Sequence, residues 1–135
     1  MTALMQDYMA VFNALGLCKF LFFARISHET LCRWLKGLAG WDLTSKDLME
    51  VGDRVYNLKR AYNVLLGVTA EKDVVAPRIL ENLRPGRPID EGRKLFFDMR
   101  KEYYEARGWD AKGIPKKEKL LSLGLTEAAN KIHKE

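Results

Sequence analysis

The strongest constraint on the fold is a stripe of apolar residues that recurs at alternating steps of three and four. The stripe runs from Leu48 to Leu65 and stops before Gly67, and this is the spacing of one face of an α-helix. Thr44 can cap this helix together with Asp47 three residues later. The pattern predicts one long helix that turns the stripe towards the core, since the seam of a coiled-coil dimer would need more heptad repeats.

Helical spacing also marks the chain before this stripe. Residues 2–15 repeat apolar side chains at helix-like intervals. Residues 17–24 are apolar on nearly all sides, so we expect a helix there that lies at the centre of the core. Ser27 can cap a further helix that continues to about residue 38.

Prolines and glycines divide the chain after the stripe. Residues 68–89 contain three prolines, which forbid a long helix and predict an irregular loop. Asp90 can cap the next helix, and Gly108 can end it. Trp109 is then expected to fold back onto the core.

Two short helices are predicted at the end of the sequence. Pro115 suits the first position of one helix, and Thr126 can cap the other. No segment shows the strict alternation that is typical of a half-buried strand. We therefore predict a single all-α domain over residues 1–135, folded as an irregular or orthogonal bundle of five to seven helices.

Composition limits the class of protein. The 135 residues are 47% hydrophobic and 30% charged, which is typical of a globular chain with room for one core. No run approaches the roughly 18 to 20 uncharged apolar residues that cross a bilayer, and the amino terminus lacks the features of a secretory signal. Two cysteines do not make a disulfide framework. A cytoplasmic protein without membrane contact is expected.

The net charge of +5 raises the question of nucleic-acid binding. The excess is spread thinly, with 10 Lys and Arg against 9 Asp and Glu in residues 1–83 and 13 against 9 in residues 84–135. The only cluster consists of four lysines within residues 112–119, which a solvated helix start explains. Nucleic-acid binding is therefore not expected.

The sequence contains none of the usual catalytic motifs. It has no glycine-rich phosphate loop, no His-Glu-x-x-His, no Cys-x-x-Cys and no Gly-x-Ser-x-Gly. No catalytic residue is predicted. His28 is expected at the surface in the first turn of its helix, with no partner at metal-ligand spacing. Cys32 is expected to be a buried or idle thiol.

Cys18 is the most distinctive reactive side chain. It follows Gly16 and Leu17 in the most apolar part of the sequence. Gly16 suggests a helix start or a tight kink, which would place Cys18 in the first turn of a helix, where the helix dipole favours a thiolate. From residue type alone, Cys18 is instead predicted to be a buried structural thiol.

Several short motifs occur in one order along the chain. They are residues 13–20, 40–44 (GWDLT), 56–60 (YNLKR) with Asn63, 77–78 (PR), 103–110 (YYEARGWD), 113–115 (GIP) and 123–125 (LGL). Together they resemble the C-terminal domain of the tungsten-dependent aldehyde ferredoxin oxidoreductases. The resemblance covers nearly the whole chain.

This resemblance implies the chemistry of that family. Its members oxidise aldehydes to carboxylic acids at a tungsten held by two pterins, and they pass electrons through a 4Fe-4S cluster to ferredoxin. The resemblance implies that Cys18 is the fourth cluster ligand and that Asn13 and Leu17 contact a pterin. The family has Asp where this chain has Asn13, so a hydrogen-bond acceptor is kept and a charge is lost.

One thiolate cannot hold a four-iron cluster, which needs about four ligands. No cofactor is therefore expected in the isolated chain, whereas a full assembly would contain the 4Fe-4S cluster and tungstopterin. The resemblance implies a detached C-terminal domain or subunit that is not active alone. Its partner would be a separate subunit, or a missing N-terminal part, that carries the pterin site, and ferredoxin would be an indirect partner.

An apolar surface left partly exposed would mark the place where such a partner docks. We expect it around Leu15, Leu17, Phe20 and Phe23. The alternative function is a non-redox helical protein-interaction module of the same ancestry.

Overall fold

The computed structural model describes residues 1–81 and 88–134. Within these ranges the chain forms seven α-helices and one 3₁₀ helix. The α-helices are α1 (Thr2–Ala14), α2 (His28–Ala39), α3 (Ser45–Leu65), α4 (Pro77–Glu81), α5 (Ile89–Arg107), α6 (Lys117–Ser122) and α7 (Thr126–Ile132), and the 3₁₀ helix is Lys19–Phe22. The same residues contain no strand beyond one isolated bridge between Trp109 and Pro115. The predicted all-α bundle of five to seven helices is confirmed.

In the two described ranges, no helix is both long and apolar enough to cross a bilayer.

The predicted caps of α2 and α3 are confirmed. The Ser27 hydroxyl accepts a hydrogen bond from the Thr30 backbone N–H at 3.3 Å. The Thr44 hydroxyl accepts from the Asp47 N–H at 3.2 Å, and the Asp47 carboxylate accepts from the Thr44 N–H at 2.8 Å. Both helices therefore begin where their side chains satisfy free backbone donors.

The predicted caps of α5 and α7 are wrong. Pro88 occupies the N-cap position of α5 in an extended conformation, and Asp90 lies inside the first turn. Proline has a backbone φ that is compatible with a helix start, and it makes no side-chain capping bond here. Thr126 is the first residue of α7 and follows Leu125, which has no side-chain capping bond.

Pro115 was predicted to begin a helix, but α6 begins two residues later, at Lys117. Pro115 is fully buried instead and forms the bridge to Trp109. The prediction that Trp109 folds back onto the core is confirmed, because its side chain is buried. Gly108 ends α5 in the left-handed conformation, as predicted.

The predicted irregular stretch over residues 68–89 contains the short helix α4, which begins at Pro77. Before α4, a backbone hydrogen bond fixes this stretch to the loop after α5: the Ala70 N–H donates to the Lys112 carbonyl at 2.9 Å. Residues 82–87, including two of the arginines of this stretch, lie outside the described residues.

An apolar cluster joins α1, α2 and the start of α3. Its buried members are Tyr8, Val11, Phe12, Leu31 and Leu48. Helix α1 packs mainly on α3. This cluster is the hydrophobic core that the helical spacing predicted, and its burial is the main favourable contribution to folding in this half of the chain.

The crossing of α1 and α3 is closest at Gly52. A Cβ atom at this position would lie 2.6 Å from the carbonyl carbon of Asp7, closer than real Cβ atoms approach backbone. Only glycine lets the two helix backbones meet at this distance.

The apolar stripe of α3 is buried at Leu48 and half-buried at Val51 and Val55, so the prediction that it faces the core throughout is wrong. Leu58 is 49% exposed and Tyr62 is 63% exposed. The buried residues in the second half of α3 are Asn57, Arg60 and Ala61. Asn57 accepts a hydrogen bond from the Trp109 indole, Arg60 pairs with Asp73, and Ala61 packs in an apolar cluster.

A second, smaller apolar cluster joins α3, α6 and α7 through Ala61, Leu120 and Ala129. All three are buried. This cluster holds the last two helices against α3.

The helix predicted over residues 17–24 as the centre of the core is wrong. Only the 3₁₀ helix forms there, and none of its residues is fully buried. Leu21 and Phe22 pack against the apolar cluster from one side. Arg25 then adopts a left-handed conformation with φ of 56°, which turns the chain towards α2. A helix that is apolar all round is buried only if other elements surround it, and here the described elements cover one side.

Candidate functional site

The turn that carries Cys18 begins at the end of α1. Gly16 has a φ of 67°, and its N–H donates to the Asn13 carbonyl at 3.2 Å. The Leu17 N–H donates to the Phe12 carbonyl at 2.9 Å. These two bonds are those of a Schellman motif, which ends a helix. The sequence left open whether Gly16 marks a helix start or a tight kink. The structure shows the kink.

Cys18 is exposed, so the prediction of a buried structural thiol is wrong. It occupies the N-cap of the 3₁₀ helix with φ of −65° and ψ of 125°, and its carbonyl accepts from the Leu21 N–H at 3.0 Å. Because this helix has four residues, the argument from a helix dipole does not apply. The thiol is held outside the apolar cluster by the turn rather than inside it.

The other two predicted site residues flank Cys18 differently. Asn13 is exposed in the last turn of α1. Leu17 is half-buried and packs against the apolar cluster. The structure thus brings Asn13, Leu17 and Cys18 into one short turn, with Leu17 as its anchor. We call residues 13–18 the Cys18 turn.

The predicted exposed apolar surface is observed beside this turn. Phe20 is 64% exposed and Phe23 is 75% exposed, and their rings stack with centroids 6.0 Å apart. Leu15 and Leu17 are half-buried, which agrees with the prediction of a partly exposed patch. We call Phe20 and Phe23 the aromatic patch. Two large adjacent aromatic side chains left in water are a feature of surfaces that another molecule covers.

Cys32 and His28 both lie on α2. Cys32 is half-buried, and burial raises the pKa of its thiol. His28, predicted at the surface, is half-buried with its ring 4.1 Å from that of Tyr8. Its position against a core tyrosine explains why it is not free in solvent.

The residues around Cys18 can supply one ligand to a metal centre but not a complete set of ligands. No group of three or more His, Cys, Asp and Glu residues that could hold a metal occurs in the described ranges 1–81 and 88–134. An exposed cysteine on a fixed turn can supply one thiolate to iron held by other ligands.

A buried arginine joins three helices, α1, α3 and α5, elsewhere in the molecule. The side chain of Arg107, at the end of α5, is 1% exposed. One terminal nitrogen donates to Asp7 at 2.5 Å and to Asp53 at 3.1 Å. The other donates to the Ala3 carbonyl at 3.0 Å and to Gln6 at 2.8 Å. We call this set the Arg107 network.

The Arg107 network extends to α6. The second carboxylate oxygen of Asp53 accepts from Lys119 at 2.5 Å, and the guanidinium of Arg107 lies 4.4 Å from the ring centroid of Tyr56. Burial alone would lower the pKa of Arg107, but its hydrogen bonds to Asp7 and Tyr103 raise the pKa above the ordinary value. The network therefore keeps a full positive charge inside the fold.

A second buried arginine, Arg60, ties α3 to the loops. It donates to the Gly113 carbonyl at 2.6 Å and to one Asp73 oxygen at 2.8 Å, and its remaining nitrogen lies 2.6 Å from the other Asp73 oxygen. The Tyr104 hydroxyl donates to Asp73 at 2.5 Å. We call these four residues the Arg60 network.

The Arg60 network shifts two pKa values in opposite directions. Burial alone would raise the pKa of Asp73, but the hydrogen bonds from Arg60 and Tyr104 lower it below the usual range. Burial, and then the bond to Asp73, raise the pKa of Tyr104 to about 12. Both shifts keep Asp73 ionised and Tyr104 protonated at neutral pH.

A groove of about 730 Å³ opens beside the Arg60 network. Aromatic side chains of α3 and α5 line it together with Trp109, and residues 73–75 form part of its wall. Lys59, Arg60 and Arg100 contribute positive charge to it. The sequence did not predict this groove, because its lining comes from α1, α3, α5 and two loops.

Comparison with known proteins places this fold in a family. Residues 1–125 match the family model described as "Aldehyde ferredoxin oxidoreductase, domains 2 & 3". The chain belongs to the aldehyde ferredoxin oxidoreductase family. The resemblance inferred from the sequence motifs is therefore confirmed.

Curated relatives of this chain agree with the family assignment. The tungsten-containing aldehyde ferredoxin oxidoreductases of Pyrococcus furiosus and Pyrococcus horikoshii are each 34% identical to it over 128 residues, which are 94% of this chain and 21% of the relative. The aliphatic sulfonate oxidoreductase, WOR-like subunit, of Pyrococcus furiosus is 30% identical over 132 residues, again 21% of that relative. The chain thus spans about a fifth of the length of the curated relatives it matches.

The family motifs acquire a structural meaning in the two arginine networks. Residues 56–60 and 103–110, on which the resemblance was based, include Arg60 and Arg107. Within the same motifs, the Trp109 indole donates to the Asn57 side chain at 2.8 Å. These motifs hold the helices of this family member together by polar contacts.

Sequence reasoning missed these networks, although one signal was present. Asp53, Asn57 and Arg60 follow one another at steps of four and three, which is helical spacing of polar residues. Buried arginine is rare, so this spacing was not interpreted as a core face.

Proposed function

We propose that this chain is the C-terminal part of a tungsten-dependent oxidoreductase of its family, and that Cys18 supplies one thiolate ligand to an iron-sulfur cluster in the full assembly. The observation that carries the proposal is the exposure of Cys18 on a turn with fixed backbone. Free cysteine is among the most often buried residue types, so a thiol presented to the surface is unusual unless it has a task.

The construction of the Cys18 turn supports this role. The Schellman bonds fix the backbone on one side of Cys18, and the bond from the Leu21 N–H to the Cys18 carbonyl fixes it on the other. Leu17 is anchored in the apolar cluster. A ligand held in this way loses little conformational freedom when it binds a metal.

Asn13 and Leu17 would face the pterin of the same assembly, by the resemblance on which their assignment rests. Asn13 is exposed and can donate and accept hydrogen bonds. When bound, the 4Fe-4S cluster would carry single electrons between tungstopterin and ferredoxin. The part of this chain is to provide the fourth thiolate and one wall of that site.

The aromatic patch would lie against the remaining part of the enzyme. Burying Phe20 and Phe23 on association would remove large apolar surface from water, and this favours docking. The other three cluster ligands and the rest of the pterin site would come from that part, whether on the same polypeptide or on a separate subunit. We expect the assembly in the cytoplasm, inactive without this partner.

The alternative is a helical interaction module that has lost its redox role. Asn13 favours it, because the family has a carboxylate at that position. The aromatic patch would serve either function, so only the metal content of the assembly separates them.

The proposal is tested by recovering the tagged chain anaerobically from its native host, with whatever polypeptide carries or binds it, and by counting tungsten and iron. We expect both metals. Cys18→Ser should lower the iron content several-fold, whereas the matched variant Cys32→Ser, whose thiol is half-buried on α2, should leave it unchanged. Recovery of a metal-free assembly, or of iron that is insensitive to Cys18→Ser, would favour the interaction module.

A further inference from the structure

The groove beside the Arg60 network has the dimensions of a small-molecule site. Its volume of about 730 Å³ lies inside the range of about 300 to 1,000 Å³ that is typical of such sites. Tyr56, Phe96, Tyr103 and Trp109 provide aromatic surface along it. Flat apolar walls of this kind suit a ligand with an aromatic body.

The floor of the groove is fixed. Arg60 is bound on three sides by Asp73 and the Gly113 carbonyl, and Tyr104 closes the set. Its charge is therefore balanced by Asp73 and is not offered to a ligand. A ligand would meet this floor without having to rearrange it, which favours binding.

Two other cations in the groove, Lys59 and Arg100, have no carboxylate partner of the kind that Asp73 provides for Arg60 within the described residues. Lys59 is exposed, and neither it nor Arg100 forms an ion pair with a carboxylate in the part of the chain that the structure describes. One terminal nitrogen of Arg100 donates to the carbonyls of Ala70 and Asp73 at 2.8 and 3.1 Å. These contacts orient the guanidinium but do not neutralise it.

The charge of the groove is therefore positive. Lys59, Arg60 and Arg100 stand against Asp73, which leaves an excess of two positive charges beside aromatic walls. An oriented guanidinium with free donors is well suited to a carboxylate, since the two planar groups can form parallel hydrogen bonds.

We infer that this groove binds a small aromatic carboxylate, whose ring lies against the aromatic walls and whose carboxylate meets Arg100 and Lys59. The inference is independent of the function proposed for Cys18. A segment of another protein could also occupy a groove, but the volume of about 730 Å³ and the fixed floor favour a compact ligand. The test below can therefore also speak against a small carboxylate as the occupant.

Titration calorimetry of the full chain with 2-naphthoate tests this inference. We expect a dissociation constant of about 0.1 mM at low salt. The neutral analogue 2-naphthamide has nearly the same shape, and it should bind at least about fivefold more weakly because it lacks the charge. Higher salt should weaken naphthoate binding and leave naphthamide binding unchanged.

A matched pair of variants places the binding in the groove. Lys59→Glu should weaken naphthoate binding about tenfold, and it disturbs no contact that the structure shows for Lys59. Lys46→Glu makes the same charge change at an exposed position of the same helix outside the groove, and it should have no effect. Arg100→Gln should weaken binding as well, with the fold checked by circular dichroism.

Three results would overturn the inference. One is equal binding of naphthoate and naphthamide, and another is equal loss of affinity in Lys59→Glu and Lys46→Glu. The third is no naphthoate binding up to about 5 mM. None of these results bears on the iron content that tests the role of Cys18.

Discussion

The apolar cluster and the Arg107 network both hold α1 against α3, but they do so by different physics. The cluster acts through Tyr8, Phe12 and their neighbours, whose stabilisation follows the apolar area removed from water and has no direction. The Arg107 network acts through hydrogen bonds of fixed geometry to Asp7 and Asp53. The first tolerates substitutions that keep volume, whereas the second requires each partner.

The two regions also support different surfaces. The apolar cluster anchors Leu17, and with it the Cys18 turn. The Arg107 network ties α5 and α6 to α1 and α3, and the groove forms along the same helices. Damage to the networks should therefore affect the whole fold and the groove, whereas mild changes in the cluster should leave both surfaces in place.

The largest effect is expected for Arg107→Met. This variant leaves Asp7 buried without its partner, and removing one member of a buried ion pair costs about 3–5 kcal/mol. Urea unfolding at neutral pH measures the change in the free energy of unfolding. For a chain of this size, a loss of that magnitude could remove most of the stability.

Two further variants make this prediction specific. Arg54→Met removes an arginine that is half-exposed, with bonds to Glu50 and the Leu123 carbonyl, and it should cost much less. The double variant Asp7→Leu with Arg107→Met removes both charges and should be more stable than Arg107→Met alone. If Arg107→Met is no more harmful than Arg54→Met, the contrast between network and cluster fails.

A smaller and pH-dependent effect is expected for Asp73→Asn. The pKa of Asp73 is lowered in the folded state by Arg60 and Tyr104, so its contribution is fully present above the unfolded pKa of about 3.9 and is lost as the pH falls through the folded value. We expect Asp73→Asn to cost about 2 kcal/mol at pH 7. The difference from wild type should shrink below about pH 4.

The Arg60 network can also be followed through Tyr104. Its pKa is raised to about 12 in the folded state, so the stability it contributes is present below the unfolded pKa of about 10 and is lost as the pH rises towards 12. In Asp73→Asn the pKa should fall part of the way towards 10, because burial, the larger cause, remains. Ultraviolet titration with Tyr104→Phe as the blank measures it. An unchanged Tyr104 titration would show that Asp73 is not its partner in solution.

The same contrast explains what the sequence could predict. Apolar spacing and capping residues act locally, so Ser27, Thr44 and Gly108 correctly marked helix ends. Leu48 was correctly placed in the core. Leu58 and Tyr62 were not, because the same spacing does not say whether a partner helix covers that part of the stripe.

The candidate site was predictable only in part. The motifs along the chain, taken together, identified the family, and the exposure of Phe20 and Phe23 followed from the expectation of a docking surface. The burial of Arg107 and the groove depend on residues more than 90 positions apart, such as Asp7 and Arg107. No local pattern carries that information. Cys18 was misjudged as buried because residue-type preference ignores a turn that points the chain out of the core.

The smallest effect is expected for Phe12→Leu in the apolar cluster. Phe12 is fully buried and meets the Tyr8 ring edge-on, with centroids 4.9 Å apart. Leucine keeps most of the volume and loses the aromatic contact, so the free energy of unfolding should fall by about 1 kcal/mol. Urea unfolding measures the change, with the wild-type denaturant slope as a check that the folded state is intact.

The informative comparison is with Arg107→Lys, an equally conservative exchange in the network. Lysine keeps the charge but cannot reproduce the planar set of donors that reaches Asp7, Asp53 and the Ala3 carbonyl. Arg107→Lys should therefore cost more than Phe12→Leu, even though neither changes the class of residue. Equal costs would mean that the Arg107 network acts as buried charge alone and that the geometry of its hydrogen bonds adds nothing. A larger cost for Phe12→Leu would reverse the comparison and make the apolar cluster the less tolerant of the two regions.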